Sequence, residues 1–233
     1  MNNEKLLENL RCIPDFPQKG VNFRDVTTLF KDPECLKIMV DELYELYKDK
    51  GITKIVGIES RGFVLSSALA LKLNAGVVLC RKPGKLPAET IQESYSKEYG
   101  KDTIEIHKDA ITEDDVVLLH DDLLATGGTM RAAYNLVKKF NPKNIYVNFI
   151  IELVHENLNG RANFEEGTDI TSLTEGITPS EQRKRKNRNI SQQTPCKAKS
   201  RRQRRFFSCR AFLYHFGCRD NLSIYSMVPI YTF

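Results

Sequence analysis

At 233 residues with 41% hydrophobic content, the chain can bury a full core, either as one domain or as one domain with an appendage. Of its 35 Lys and Arg residues, 13 lie in residues 176–233, against two of its 30 acids, Glu181 and Asp220; that stretch therefore carries +11 and the first 175 residues carry −6, so the overall +5 is no nucleic-acid footprint of a folded domain. Met1-Asn2-Asn3-Glu4-Lys5 opens without an apolar leader, no apolar run reaches the length of a bilayer span, and the six cysteines include no C-x-x-C pair, so the expectation is a soluble cytoplasmic protein with neither a membrane segment nor a disulfide framework.

From Lys5 to Leu10 the pattern is helical, and Pro14 and Pro17 break it because each fixes φ and lacks an N–H. Pro33 sits at a first-turn position, and Leu36, Met39, Val40, Leu43 and Leu46 follow as the apolar face of a helix that Gly51 stops. Lys54 to Ile58 reads as a buried strand, Gly62 to Leu73 as a helix with Leu65, Leu69 and Leu73 on one stripe, and Gly76 to Cys80 as a second strand, which together imply a parallel crossover. Residues 82–101, rich in Pro, Gly, Ser and charge, form a long loop or flexible hairpin of the kind that serves as a lid, and a short strand around Ile104 to Ile106 follows. Val116 to Leu119 is the next strand. It runs through His120-Asp121-Asp122 into a small-residue loop and then a helix with Ala133, Leu136, Val137 and Phe140 facing inward; the last predicted strand runs from about Ile145 to Leu153.

The expected body is an open, mostly parallel twisted α/β sheet flanked by helices, its loops gathered at the edge where such sheets bind ligands. After Glu175 the hydrophobic periodicity ends and Arg183-Lys-Arg-Lys186 and Arg201-Arg-Gln-Arg-Arg205 dominate. Residues 1–175 are therefore expected to form the domain and 176–233 a basic, disordered tail, in which Cys196, Cys209, His215 and Cys218 match no common zinc spacing.

The chemistry concentrates in Val116 to Ala133. A buried strand ends in the carboxylates Asp121 and Asp122 and feeds Ala125-Thr126-Gly127-Gly128-Thr129, which starts a helix. Such a loop lets backbone N–H groups close on an anion at the positive helix end, with the two threonine hydroxyls as further donors. The carboxylates repel a second phosphate there but accept hydrogen bonds from vicinal hydroxyls, so the ligand expected is a ribose 5′-phosphate. Neither G-x-x-x-x-G-K-[ST] nor G-x-G-x-x-G occurs, which removes the usual signatures of nucleotide hydrolysis and hydride transfer.

This unit resembles the 5-phosphoribosyl-1-pyrophosphate (PRPP) motif of the type I phosphoribosyltransferases. Ile13 to Pro17, Gly20 to Asp25, Gly57 to Gly62, Arg81 to Pro87 and Ser94 to Gly100 resemble, in order, segments of the adenine-specific branch. The resemblance implies a type I phosphoribosyltransferase fold and a purine-salvage enzyme that converts adenine and PRPP to AMP and pyrophosphate. It places Asp121, Asp122, Ala125, Thr126, Gly127, Gly128 and Thr129 on the ribose phosphate. Glu59, Ser60 and Arg61 fall on the pyrophosphate, around a non-proline cis peptide, and Arg81, Lys82 and Lys85 are further pyrophosphate ligands, one crossing the interface of a homodimer. Asn22, Phe23, Arg24 and Leu123 fall on adenine. Glu98, with Tyr99 and Arg61, is catalytic, Glu98 as the acid/base on a flexible hood. Mg²⁺ is the implied cofactor, held mainly through PRPP with no protein ligand assigned.

His120 stands where a β-branched residue is commoner and is expected to be a partly buried structural histidine. Two other readings stay open: a phosphoribosyltransferase for another purine, and a PRPP-sensing regulator whose basic tail binds nucleic acid. Glu98 and the hood favour the enzyme, since a sensor needs no acid/base.

Overall fold

The computed structural model describes residues 3–96, 100–154 and 158–176, together with Lys184. Apart from Gly176 and Lys184, the expected tail with its disorder and its candidate zinc ligands lies outside the described residues, as do Glu98 and Tyr99.

Helix α1 (Asn3–Asn9) leads into a short antiparallel ribbon of β1 (Arg11–Ile13) and β2 (Phe23–Asp25), with Cys12 opposite Arg24. The Arg11 guanidinium pairs with Asp25, which also accepts from the Thr27 hydroxyl at 2.6 Å and so ties the ribbon to α2 (Thr27–Phe30). Helix α3 (Pro33–Tyr47) begins as its proline requires, with Asp32 accepting from the Cys35 N–H at 2.8 Å as a side-chain cap. Its buried stripe is Cys35, Met39, Leu43 and Tyr47, one residue every turn. The expected Leu36, Val40 and Leu46 flank that stripe, because Cys35 and Tyr47 are as apolar in effect as the leucines.

The central unit follows as β3 (Lys54–Ile58), α4 (Gly62–Leu73), β4 (Gly76–Cys80), β5 (Thr90–Ser96), β6 (Lys101–His107), β7 (Val116–Leu124), α5 (Gly128–Lys138), β8 (Asn144–Glu152), a 3₁₀ turn at Gly160–Asn163 and β9 (Ile170–Glu175). Five strands form one sheet in the order β4-β3-β7-β8-β9, with every neighbouring pair parallel. Two apolar clusters cover its faces. One gathers Leu29, Met39, Leu43, Leu65, Leu69 and Leu118; the other gathers Val56, Ile104, Ile106, Leu119, Leu136 and Phe149.

Three features depart from the sequence reading. Strand β7 continues to Leu124, two residues past the carboxylates in which it was expected to end, because β8 keeps pairing with it as far as Glu152. Strand β9 was not expected, since Thr171, Ser172 and Thr174 dilute its apolar pattern; only Leu173 and Thr174 are buried. Of the loop and hairpin readings of residues 82–101, the structure has the hairpin, β5 antiparallel to β6 from Thr90 opposite His107 to Ser96 opposite Lys101, and the short strand expected around 104–106 lies within the longer β6.

His120 is fully buried rather than partly so. Its Nδ1 lies 2.9 Å from Asn148 Oδ1, Asn148 Nδ2 donates to Thr171 Oγ1 at 2.8 Å, and the Tyr47 hydroxyl meets the same oxygen at 2.5 Å. This polar chain links β7, β8, β9 and α3 through the interior. Burial lowers the His120 pKa to about 4 against the opposing hydrogen bond to Asn148, so the ring is neutral at physiological pH.

Candidate active site

Three consecutive strand ends build the site. At the carboxyl end of β3 the chain turns through Glu59, Ser60 and Arg61 into α4, and the Glu59–Ser60 peptide is cis, as the resemblance implies. At the carboxyl end of β7 it turns through Ala125, Thr126 and Gly127 into α5. Unlike α3, neither helix start carries a side-chain cap, and neither first turn contains an acid. Both ends thus present uncapped N–H groups and positive dipole ends to whatever lies above the sheet.

Two glycines make the approach possible. A Cβ on Gly62 would lie 2.7 Å from the His120 carbonyl oxygen and 3.3 Å from Asp121 Oδ1, so only glycine lets α4 begin hard against β7. Gly127 has φ of 78°, and a Cβ there would meet the Gly160 carbonyl at 2.6 Å. The 3₁₀ turn therefore buttresses the loop from behind, where Asn163 Nδ2 also donates to the Thr126 carbonyl.

Between these helix starts stand the carboxylates. Asp122 is buried, with Oδ2 2.8 Å from Arg61 Nε, and its own N–H donates to Asp121 Oδ1 at 2.9 Å. That close Arg61–Asp122 contact is an ion pair without hydrogen-bond alignment, so Oδ2 still lacks a hydrogen-bond donor. Burial, reinforced by the charge of Asp122, holds the Asp121 carboxyl well above the usual carboxylate range; burial also raises Asp122, opposed first by Arg61. The ligand-free pair therefore holds protons more tightly than ordinary carboxylates do.

The remaining expected cations line the β4 side. Arg81 Nε lies 3.3 Å and the Lys82 N–H 3.0 Å from Glu59 Oε2, and these contacts outweigh burial to keep the Glu59 carboxyl below its ordinary pKa. Arg81 also donates to the Lys85 carbonyl at 3.1 Å, while the Lys82 ammonium lies 3.4 Å from Asp102 on β6. Glu59 thus positions the basic loop.

On the other flank, Phe23 lies with its ring centroid 5.6 Å from Arg61 Cζ and 5.3 Å from the Phe16 ring. The Arg24 side chain is buried and donates to the Asn22 carbonyl at 2.7 Å, holding the turn between them. Leu123 is half-buried on β7 beside Asp122, and Thr126 is exposed. The structure thus brings Phe23, Arg61 and Asp122 into one row, and Glu59, Arg81, Lys82 and Lys85 into another. Sequence reasoning misses Asn163, whose partner is 37 positions away, and also Tyr95 and Asp102, whose hydroxyl and carboxylate reach the site from the hairpin. The alternation of Ile91, Glu93 and Tyr95 on β5 is the one local signal that points to the latter pair.

A parallel sheet thus sets two uncapped helix starts around paired carboxylates, and residues 25–174 match the family model of the phosphoribosyl transferase domain. The chain belongs to the phosphoribosyltransferases. An adenine phosphoribosyltransferase of Bacteroides fragilis is 65% identical over 170 residues, which are 73% of this chain and 94% of that relative. Among solved structures, the adenine phosphoribosyltransferase of Rhodothermus marinus matches with 44% identity and a TM-score of 0.69, over 74% of this chain and 97% of its own. That of Giardia lamblia, complexed with 9-deazaadenine, matches with 40% identity and a TM-score of 0.71, over 76% and 99%. Within the family, this chain stands with the adenine phosphoribosyltransferases.

The raised Asp121 carboxyl has a consequence for stability. Below its ordinary value of 3.8 it is protonated in both folded and unfolded chains; as pH rises, the unfolded chain releases the proton first, so folding stability falls until the native group also ionises. Asp121→Asn keeps the oxygen that accepts from Asp122 and removes the charge. It is expected to unfold about 0.5–2 kcal/mol harder than the native chain at pH 7, with the gain vanishing toward pH 3, while losing activity. Urea unfolding of both chains from pH 3 to 8 checks this; a variant less stable at pH 7 would show that the pair is not repulsive.

Proposed function

We propose that the chain transfers the 5-phosphoribosyl group of PRPP to N9 of adenine, giving AMP and pyrophosphate in purine salvage. The observation that carries this reading is the Asp121–Asp122 pair set between two uncapped helix N-termini. The name shared by the relatives supports adenine as the base, as does the adenine-like ligand of the Giardia enzyme.

The 5′-phosphate sits in the loop from Ala125 to Thr129, at the start of α5. The ribose hydroxyls donate to Asp121 and Asp122, and the diphosphate lies toward Glu59-Ser60-Arg61, Arg81, Lys82 and Lys85. As the bond from C1′ to the diphosphate lengthens, positive charge grows on the ribose and negative charge on the leaving group. The carboxylates stabilise the first, and Arg61 with the lysines stabilises the second. Phe23 and Leu123 sandwich the purine while backbone groups of Asn22 to Arg24 read its edge; the contact of Phe23 with Arg61 supports a base seat adjoining the diphosphate seat. Glu98 manages the purine proton near N7 and N9, Tyr99 lies beside it, and the hood excludes water.

Mg²⁺ is the ion this site fits. The oxygens of Asp121 and Asp122 are hard donors, and among the described residues no three His, Cys, Asp or Glu side chains converge as a cage, which suits an ion bound chiefly by substrate oxygens. When bound, it adds positive charge to the diphosphate.

A homodimer is supported by the exposed Val64 and Leu71 on α4 and Val77 and Leu79 on β4, the sheet's edge strand. No helix of the described residues is long and apolar enough to cross a membrane. The thiols of Cys35 and Cys80 are free, a cysteine usage that supports the cytoplasm. Nucleic acid enters this reading only as a ligand of the basic tail.

Nucleotide formation from PRPP with adenine, hypoxanthine, guanine or xanthine tests the base. Adenine is expected to give the highest kcat/KM, and a higher value for another base would overturn the assignment. Glu98→Gln is expected to lower kcat by about 10²- to 10⁴-fold with PRPP binding nearly unchanged, read from steady-state rates and titration calorimetry. The domain ends near Glu175, where the family match and β9 end, so a chain stopping there is expected to keep full activity and its melting temperature.

A further inference from the structure

One row of contacts crosses the site by way of the hairpin. Ile91, Glu93 and Tyr95 alternate on the face of β5 that meets α5. The Lys139 ammonium, just past the end of α5, donates to Glu93 Oε2 at 2.6 Å and to the Gln92 carbonyl at 3.1 Å. At the other end of that helix, the Tyr95 ring lies 3.7 Å from where a Cβ on Gly128 would stand, and its hydroxyl lies 2.9 Å from Thr129 Oγ1. The same hydroxyl is 3.3 Å from Oδ2 of Asp102, its partner across the hairpin, and the Lys82 ammonium is 3.4 Å from that oxygen. Thr129, Tyr95, Asp102 and Lys82 thus form a chain from the phosphate loop, over the hood, to the basic loop.

The Tyr95 hydroxyl has one proton and an ionised Asp102 can only accept. When Tyr95 donates to Asp102, it accepts from Thr129, and the Thr129 proton points at the hood. When Tyr95 donates to Thr129 instead, the Thr129 proton is free for an anion at the start of α5. We propose that Tyr95 is a positioning residue: its hydroxyl orients the Thr129 hydroxyl toward the 5′-phosphate and so fastens the hood to a loaded phosphate loop. This rests on the reading of that loop as the 5′-phosphate site. The chemistry recognised is a phosphate monoester on a pentose, not the diphosphate and not the base.

Tyr95→Phe keeps the ring against Gly128 and removes only the hydroxyl. Titration calorimetry of the full chain with ribose 5-phosphate, and separately with pyrophosphate, reads the effect. The variant is expected to bind ribose 5-phosphate about 5- to 10-fold more weakly, the value of one hydrogen bond, with pyrophosphate affinity and melting temperature unchanged. In a Thr129→Val background, the same substitution is expected to add less than about twofold, because the two hydroxyls act as one unit. Equal ribose 5-phosphate affinity in the native chain and Tyr95→Phe would overturn the proposal. So would an equal loss for both ligands with a lowered melting temperature, which would mark a merely structural tyrosine, and so would additive losses in the double variant. Failure of the native chain to bind ribose 5-phosphate at all would overturn the reading of the loop as well as the role of Tyr95.

Discussion

Two carboxylates side by side at the end of a buried strand are an unfavourable arrangement, and the rest of the site is organised around it. Asp122 is shut away from water and Asp121 half so; burial raises the cost of ionising both, and the charge of Asp122 raises it further for Asp121. Arg61 offsets part of that cost from one side, but no described donor aligns with Asp122 Oδ2. Hydroxyl donors beside the pair would give Asp122 Oδ2 the hydrogen bond it lacks, and anions would suit the two uncapped helix starts.

The parallel sheet is what makes this geometry attainable. Because β3 and β7 are adjacent and parallel, their following helices begin side by side at one edge, and Gly62 lets α4 start in contact with Asp121 itself. Rigidity comes from beneath. The chain from His120 through Asn148 and Thr171 to Tyr47 fixes β7 against β8, β9 and α3 one residue before the carboxylates. Those polar groups are costly to bury, but joined to one another they specify the strand register, as scattered leucines would not.

Much of this was legible in the sequence because its signals are local. The acidic pair ahead of a glycine and threonine loop, and the strand–helix–strand before it, lie within contiguous segments whose residue types state their conformations. What escaped depends on distant partners. Strand β9 is polar enough to pass for a loop until it is laid beside β8, and the continuation of β7 to Leu124 is decided by the length of β8. The burial of His120 needs Asn148 and Thr171, which no pattern around position 120 announces. Tyr95 is the clearest case: its place opposite Thr129 follows only when the alternation of β5 is set against the pitch of α5.

The hairpin is held by different interactions along its length. Toward its base, Ile104 and Ile106 are buried in the same cluster as Leu136 and Phe149, and exposing each would cost about 1.5–3 kcal/mol. Nearby, the buried Glu105 accepts from Thr90 and Gln92, both at 3.1 Å, and Lys139 holds Glu93. Farther along, Ser94 meets Thr103 and Tyr95 meets Thr129 and Asp102 through hydroxyl contacts, each worth about 0.5–1.5 kcal/mol net and replaceable by water. Among the described residues, parting the Ser94 and Tyr95 end of the hairpin from its neighbours therefore costs less than exposing the isoleucines. At that end the Tyr95 hydroxyl, 2.9 Å from Thr129 Oγ1, is the contact that ties β5 to the first turn of α5.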